Sequence, residues 1–294
     1  MTITSHLFDL LIAPFIEFSF MRRALVGSIA LSIGAGPIGV FLMLRRMSLV
    51  GDAMAHAILP GAALGYLMAG LSLGFMTAGG LIAGFVVALL AGLVTRVTVL
   101  KEDAALASFY LISLAGGVVL VSLRGSNVDL LHVLFGSVLA LDDPTLVLLA
   151  TSASISLVSL AILFRPLVME CVDPLFLRTV GKSGGISHLG FLALVVLNLV
   201  AGFHALGTLL SVGLMMLPAF AARFWSATLD GMIAIATLIG IVASGFGIIV
   251  SYHAGTPTGP TIILSAGVMY LLSILFGQRN GLILRLIPRK HLAA

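Results

Sequence analysis

Long apolar runs separated by short polar breaks dominate this chain, and each run is close to the ~20 residues that a helix needs to cross the ~30 Å hydrocarbon core of a bilayer. Spans are expected at about 24–44, 49–70, 74–94, 104–123, 145–164, 189–204, 205–222, 231–250 and 261–276. The runs are continuous and glycine-rich, without the alternation of apolar and polar residues that a membrane β-barrel requires. The expected fold class is therefore an all-α polytopic membrane protein with eight or nine transmembrane helices. Residues 1–294 read as a single transmembrane domain, since spans and short loops leave no room for a soluble one. Before the first span, residues 7–21 are apolar but carry Asp9, Pro14 and Glu17, which predicts a helix lying at the membrane interface. Residues 129–143 are too short and too polar at their ends to span, and read as a short helix lying at one surface or dipping partway in.

Composition strengthens this reading. The chain is 60% hydrophobic and 9% charged, with a mean hydropathy of +1.23, whereas about a quarter of the residues of an average soluble domain are charged. No early basic region with a small-residue cleavage site opens the sequence, so no cleavable signal is expected. The single cysteine, Cys171, excludes an internal disulfide and a thiolate metal cage. A net charge of +4, confined to loops, reports orientation and gives no reason to expect nucleic acid. With nine spans, Arg45-Arg46, Arg96/Lys101, Arg165/Arg178/Lys182, Arg223 and the basic tail fall on one side, which the positive-inside rule makes cytoplasmic. Arg22-Arg23 and Arg124 are the exceptions.

Candidate chemistry concentrates in the second span. Asp52 and His56 are a helical turn apart on one face, and a carboxylate beside an imidazole can hold zinc, manganese or iron. An ionisable group at membrane depth costs about 2.5–3.5 kcal/mol on insertion scales, so such a pair calls for a functional explanation. Counting from Arg46 at ~1.5 Å per residue places the pair towards the bilayer middle. Asn198 and His204 are secondary candidates for a pathway, with a hydrogen-bonded structural role ranking ahead of a ligand role for each. The longest polar segment, 165–188, is expected to be a cytoplasmic loop holding a short helix that Asp173-Pro174 starts and Gly181 ends. There is no P-loop, nucleophile elbow or zinc-protease motif, so the chain is not expected to be an enzyme, and any ATP hydrolysis belongs to another chain.

The run from Arg45 to Gly61, with Gly51-Asp52, His56 and Leu59-Pro60-Gly61, resembles the second helix of permease subunits of bacterial ABC importers for zinc, manganese and iron. Leu134-Phe135-Gly136-Ser137, Asp173-Pro174 to Gly181, and Gly207-Thr208-Leu209-Leu210 leading to Leu217-Pro218-Ala219 and Ala222-Arg223 agree with the same family. The resemblance implies a type II ABC importer-like permease in the bacterial inner membrane. It implies that Asp52 and His56 line the metal path. It also implies that Asp173, Pro174, Leu175, Phe176, Arg178 and Gly181 belong to a coupling helix docking on an ATPase. The implied partners are a second copy of the chain, cytoplasmic ATPase subunits and an extracytoplasmic metal-binding protein. The transported divalent metal is cargo, and no permanently bound cofactor is expected. Where many relatives carry glutamine before Gly-Thr-Leu-Leu, this chain has His204, an added imidazole that suits zinc. The alternative is a stand-alone secondary metal transporter or channel using the same two residues.

Overall fold

In a computed structural model of the protein, residues 11–70, 72–123, 138–172, 183–279 and 281–283 are described, and the apolar stretches among them form helices. Helices follow from the solvent: hydrocarbon offers no hydrogen-bond partner to the backbone, so each span must satisfy its own amides. The order is α1 (Ala13–Glu17), α2 (Ser19–Leu44), α3 (Ser48–Ala69), α4 (Leu73–Val97) and α5 (Glu102–Leu123). A short 3-10 turn at Val138–Ala140 precedes α6 (Asp143–Val172), α7 (Ser183–Leu206), α8 (Thr208–Ala222), α9 (Leu229–Ala254) and α10 (Thr258–Phe276).

Seven of these helices are long and apolar enough to cross a membrane: α2, α4, α5, α6, α7, α9 and α10. The other two that match expected spans are α3, at 22 residues, whose Asp52 and His56 lower its hydropathy, and the shorter apolar α8. The centre of the fold is built on α2 and α7, each 72% buried over its most apolar stretch, whereas α5 is only 17% buried there. Phe41, Ile38 and Leu42 of α2 pack with Phe191, Leu192 and Leu199 of α7 in the main core.

Close helix crossings need small residues, because no hydrophobic force pulls helices together in lipid and contact area must do so. At the α3–α4 crossing, a side chain on Gly61 would strike the Gly79 carbonyl, and one on Gly79 would strike that of Gly61. At the α7–α8 bend, Gly207 has φ 88°, a backbone region that glycine enters freely.

Three expected boundaries change. The interfacial helix expected at 7–21 is divided: α1 ends at Glu17, Phe18 is extended, and α2 begins at Ser19, while residues 1–10 lie outside the described residues. Arg22 closes α1 by donating to the carbonyls of Phe15 and Ile16, at 3.3 and 2.8 Å, which holds the break in place. The loop expected at 165–188 is shorter, because α6 runs on to Val172 and α7 starts at Ser183. Packing overrides the polar sequence there: Leu167 is fully buried, and Val168 and Cys171 lean on the core. The surface helix expected at 129–143 lies mostly outside the described residues, and Asp143 belongs to α6. Asp142, just before α6, accepts the Thr145 N–H at 3.1 Å in the manner of an N-cap.

The contacts also fix which ends lie together. The end of α2, the start of α5, the end of α6 and the start of α7 meet through Arg45, Glu102, Glu170 and His188. They share one side, as the charge pattern requires. Arg23, an exception to the positive-inside pattern, is paired with Asp143 at 2.8 Å.

Candidate metal path

α3 presents two unlike faces. Val50, Met54, Ala57, Ile58 and Ala62 are buried against the rest of the chain, whereas Leu49, Asp52, His56, Leu59 and Ala63 form a half-buried or exposed stripe at helical spacing. The Asp52 side chain is 64% exposed and that of His56 32% exposed, with His56 Nε2 3.7 Å from Asp52 Oδ1. The separation is too long for a hydrogen bond, so both donor atoms remain available. Pro60 removes a helical hydrogen bond in the turn after His56, and α5 packs onto that irregular turn. Gly117 lies against the Pro60 ring, and Ser113 Oγ donates to the Ala57 carbonyl at 3.3 Å.

α5 adds two groups that the sequence reading did not single out. Asp103 and Tyr110 line one cavity of ~130 Å³ together with Asp52 and apolar side chains of α3 and α5. The Tyr110 ring stacks on His56 with centroids 6.0 Å apart. Asp103 and Tyr110 are seven residues apart, the spacing of one helical face, and that was the available signal. Since Asp103 is the second residue of α5, Asp52 lies level with the first turn of that helix, nearer the helix ends around Arg45 than a count from Arg46 suggests. Among the described residues, no three His, Cys, Asp or Glu side chains close on a single metal position.

The secondary candidates lie elsewhere. Asn198 is buried between α6 and α7, donating to Ser156 Oγ at 2.5 Å and to the Leu194 carbonyl at 3.0 Å. His204 Nδ1 meets the Val200 carbonyl at 2.9 Å, and its ring lies edge-on to Phe203. Its Nε2 is buried with no hydrogen-bond partner among the described residues. Asp173, Pro174, Leu175, Phe176, Arg178 and Gly181 lie outside the described residues.

A second constellation of charge is closed. Arg45 Nη2 meets Glu170 Oε1 at 2.7 Å and His188 Nδ1 at 2.5 Å, and His188 Nε2 lies 2.7 Å from Glu102 Oε1. The guanidinium also sits over the Phe191 ring at 5.0 Å. The sequence alone puts His188 and Glu170 in a loop and does not single out Glu102, because the members are spread over four helix ends.

Residues 17–277 match the model of the family described as ABC 3 transport family. The chain is 32% identical over 264 residues to the manganese import system permease protein ScaB of Streptococcus parasanguinis, covering 90% of this chain and 93% of that protein. It is 29% identical to the chelated iron transport system membrane protein YfeD of Yersinia pestis, over 92% of this chain and 90% of that one. Among solved structures it is similar to PsaBC from Streptococcus pneumoniae in complex with Fab, with a TM-score of 0.81 and 29% identity over 94% of this chain and 98% of that chain. An inward-facing metal-chelate type ABC transporter shares the fold, with a TM-score of 0.63 at 17% identity over 86% of this chain and 85% of that one. The chain belongs to the ABC 3 transport family, as a multi-pass membrane permease.

Proposed function

We propose that this chain is the membrane-spanning subunit of an ATP-driven importer of divalent transition metal ions in the bacterial inner membrane, with the path formed between two copies. The carrying observation is the exposed stripe of α3. An acid and an imidazole within a membrane-embedded helix face the interior of an assembly or a water-filled cavity, and here Asp52 is largely exposed while His56, a third exposed, stands beside Tyr110 at the edge of its own chain. A second copy placed against that stripe would surround the metal with two carboxylates and two imidazoles. The site is open and its donors lie 3.7 Å apart, which suits a cargo that must also leave. His204 belongs to a secondary part of the path because its Nε2 is unspent among the described residues, whereas Asn198 spends its amide on Ser156 and Leu194 and takes the structural role.

Manganese or ferrous iron fits better than zinc. Asp103 and Tyr110 add oxygen donors around Asp52, and carboxylate and other oxygen ligands suit manganese, whereas zinc favours nitrogen and sulfur. The names of the relatives, manganese import and chelated iron transport, support that choice. ATPase subunits would dock through the segment containing Asp173, Pro174, Leu175, Phe176, Arg178 and Gly181, and an extracytoplasmic metal-binding protein would deliver the cargo.

The test has two arms. Purification from native membranes should bring down an ATPase chain, and a deletion strain should lose cellular manganese or iron when these are scarce. Uptake that persists after the co-purifying ATPase is deleted would overturn the importer reading in favour of a stand-alone transporter.

A further inference from the structure

We propose that Arg45, Glu102, Glu170 and His188 act as one positioning set that carries displacement of the facing ends of α6 and α7 to the metal path. The inference rests on the importer reading above. Its basis is where the four residues stand. Glu170 lies two residues before the end of α6, and His188 lies in the first turns of α7, so the pair flanks the 173–182 connection from both sides. Glu102 opens α5 and adjoins Asp103, which shares the cavity with Asp52. Arg45 follows α2 and stands three residues before α3, the helix that carries Asp52 and His56. A displacement of the α6 and α7 ends therefore reaches both helices of the path through three polar contacts.

The chemistry of the set is directional. Arg45 donates to His188 Nδ1, which assigns the ring proton to Nε2, facing Glu102 at 2.7 Å. Glu170 holds the other side of the guanidinium at 2.7 Å and lies 3.6 Å from the imidazole. The side chains of Arg45, Glu170 and His188 are 7%, 15% and 15% exposed, so water contributes little to their pairing. Yet the network is incompletely spent. Among the described residues, Arg45 Nη1, Glu170 Oε2 and Glu102 Oε1 are buried without a hydrogen-bond partner, so the His188–Glu102 contact is a close approach rather than an aligned hydrogen bond. A buried network with a spare donor and two spare acceptors has a second arrangement within reach, whereas a clamp serving stability alone would be fully satisfied. A bistable element biased from two sites is the physical requirement for coupling.

The experiment uses the complete importer, permease with its ATPase, in proteoliposomes. Radiolabelled Mn²⁺ is the probe, and ATP hydrolysis and metal uptake are measured on the same sample. Glu102→Gln keeps the shape and removes the charge, and His188→Gln is the second variant should the first fail to assemble. Either is expected to keep basal hydrolysis near the parent while the metal moved per ATP falls by about tenfold, within the range of allosteric couplings. A parental ratio of metal to ATP would overturn the inference. So would hydrolysis and uptake falling together in proportion to lost complex, since that describes a structural clamp. Asp52→Ala runs in parallel: if it transports normally, the path reading fails and this inference with it. If Asp52→Ala is inactive while Glu102→Gln and His188→Gln keep the parental ratio, only the inference fails.

Discussion

Two charged constellations sit within a few residues of each other at one end of this permease, and they are built in opposite ways. Asp52 and His56 are 3.7 Å apart, with Asp52 largely exposed and His56 half-buried against Tyr110. Arg45, Glu102, Glu170 and His188 are closed, with contacts of 2.5 to 2.7 Å and three of the four side chains nearly buried. Both bring charge into an apolar protein, at a desolvation cost of several kcal/mol per buried ion. The closed set offsets that cost with partners inside the chain. The open pair lacks such partners, and so it must find them in another copy, in water or in a passing cation. Partner supply, more than the presence of charge, separates the internal network from the open pair.

That contrast can be broken by mutation. The largest effect is expected from Asp52→Ala or His56→Ala, which should reduce manganese uptake to background. Because Asp52 is exposed and His56 half-buried against Tyr110, thermal stability of the purified protein should change little for the first and modestly for the second; a large stability loss would place the pair in the structural class. Next comes Arg45→Ala, which strands Glu170 and His188 without their cation. Removal of one partner from a buried pair typically costs about 3–5 kcal/mol, so the thermal midpoint should drop clearly. An unchanged midpoint would show the cluster to be loosely hydrated. The smallest effect is expected from Asn198→Ala, which leaves Ser156 Oγ without its donor at a cost of about 1–3 kcal/mol. Uptake per assembled complex should stay at the parental level, and a specific loss of uptake would move Asn198 into the path.

The open pair was legible in the sequence because an acid and an imidazole four residues apart stand out against an apolar background and need only helical geometry to be read. Asp103 was harder to see, since a carboxylate in the first turn of a span is ordinarily a helix-start feature, and its sharing of a cavity with Asp52 depends on how α5 packs against α3. The closed set was not legible at all: Arg45 and His188 are 143 residues apart in the chain, and pairing over that distance is a property of the fold. Polar residues also misplaced a boundary. Arg165, Pro166 and Glu170 suggest a loop, but Leu167 packs into the core and Glu170 reaches Arg45, and these tertiary contacts carry α6 to Val172. Asn198 reads as a candidate because a buried amide needs a partner, and only the fold identifies that partner as Ser156.

The central claim is that the exposed stripe of α3 meets the same stripe of a second copy around the metal path. The most direct measurement is disulfide cross-linking in native membranes of Leu59→Cys, which lies one turn beyond His56 on that stripe, in a chain whose Cys171 is replaced by serine. The account predicts a covalent dimer whose formation stops manganese uptake, with reductant restoring it. A chain that remains monomeric under oxidation, while a water-soluble thiol reagent still labels the introduced thiol and uptake proceeds, would contradict it.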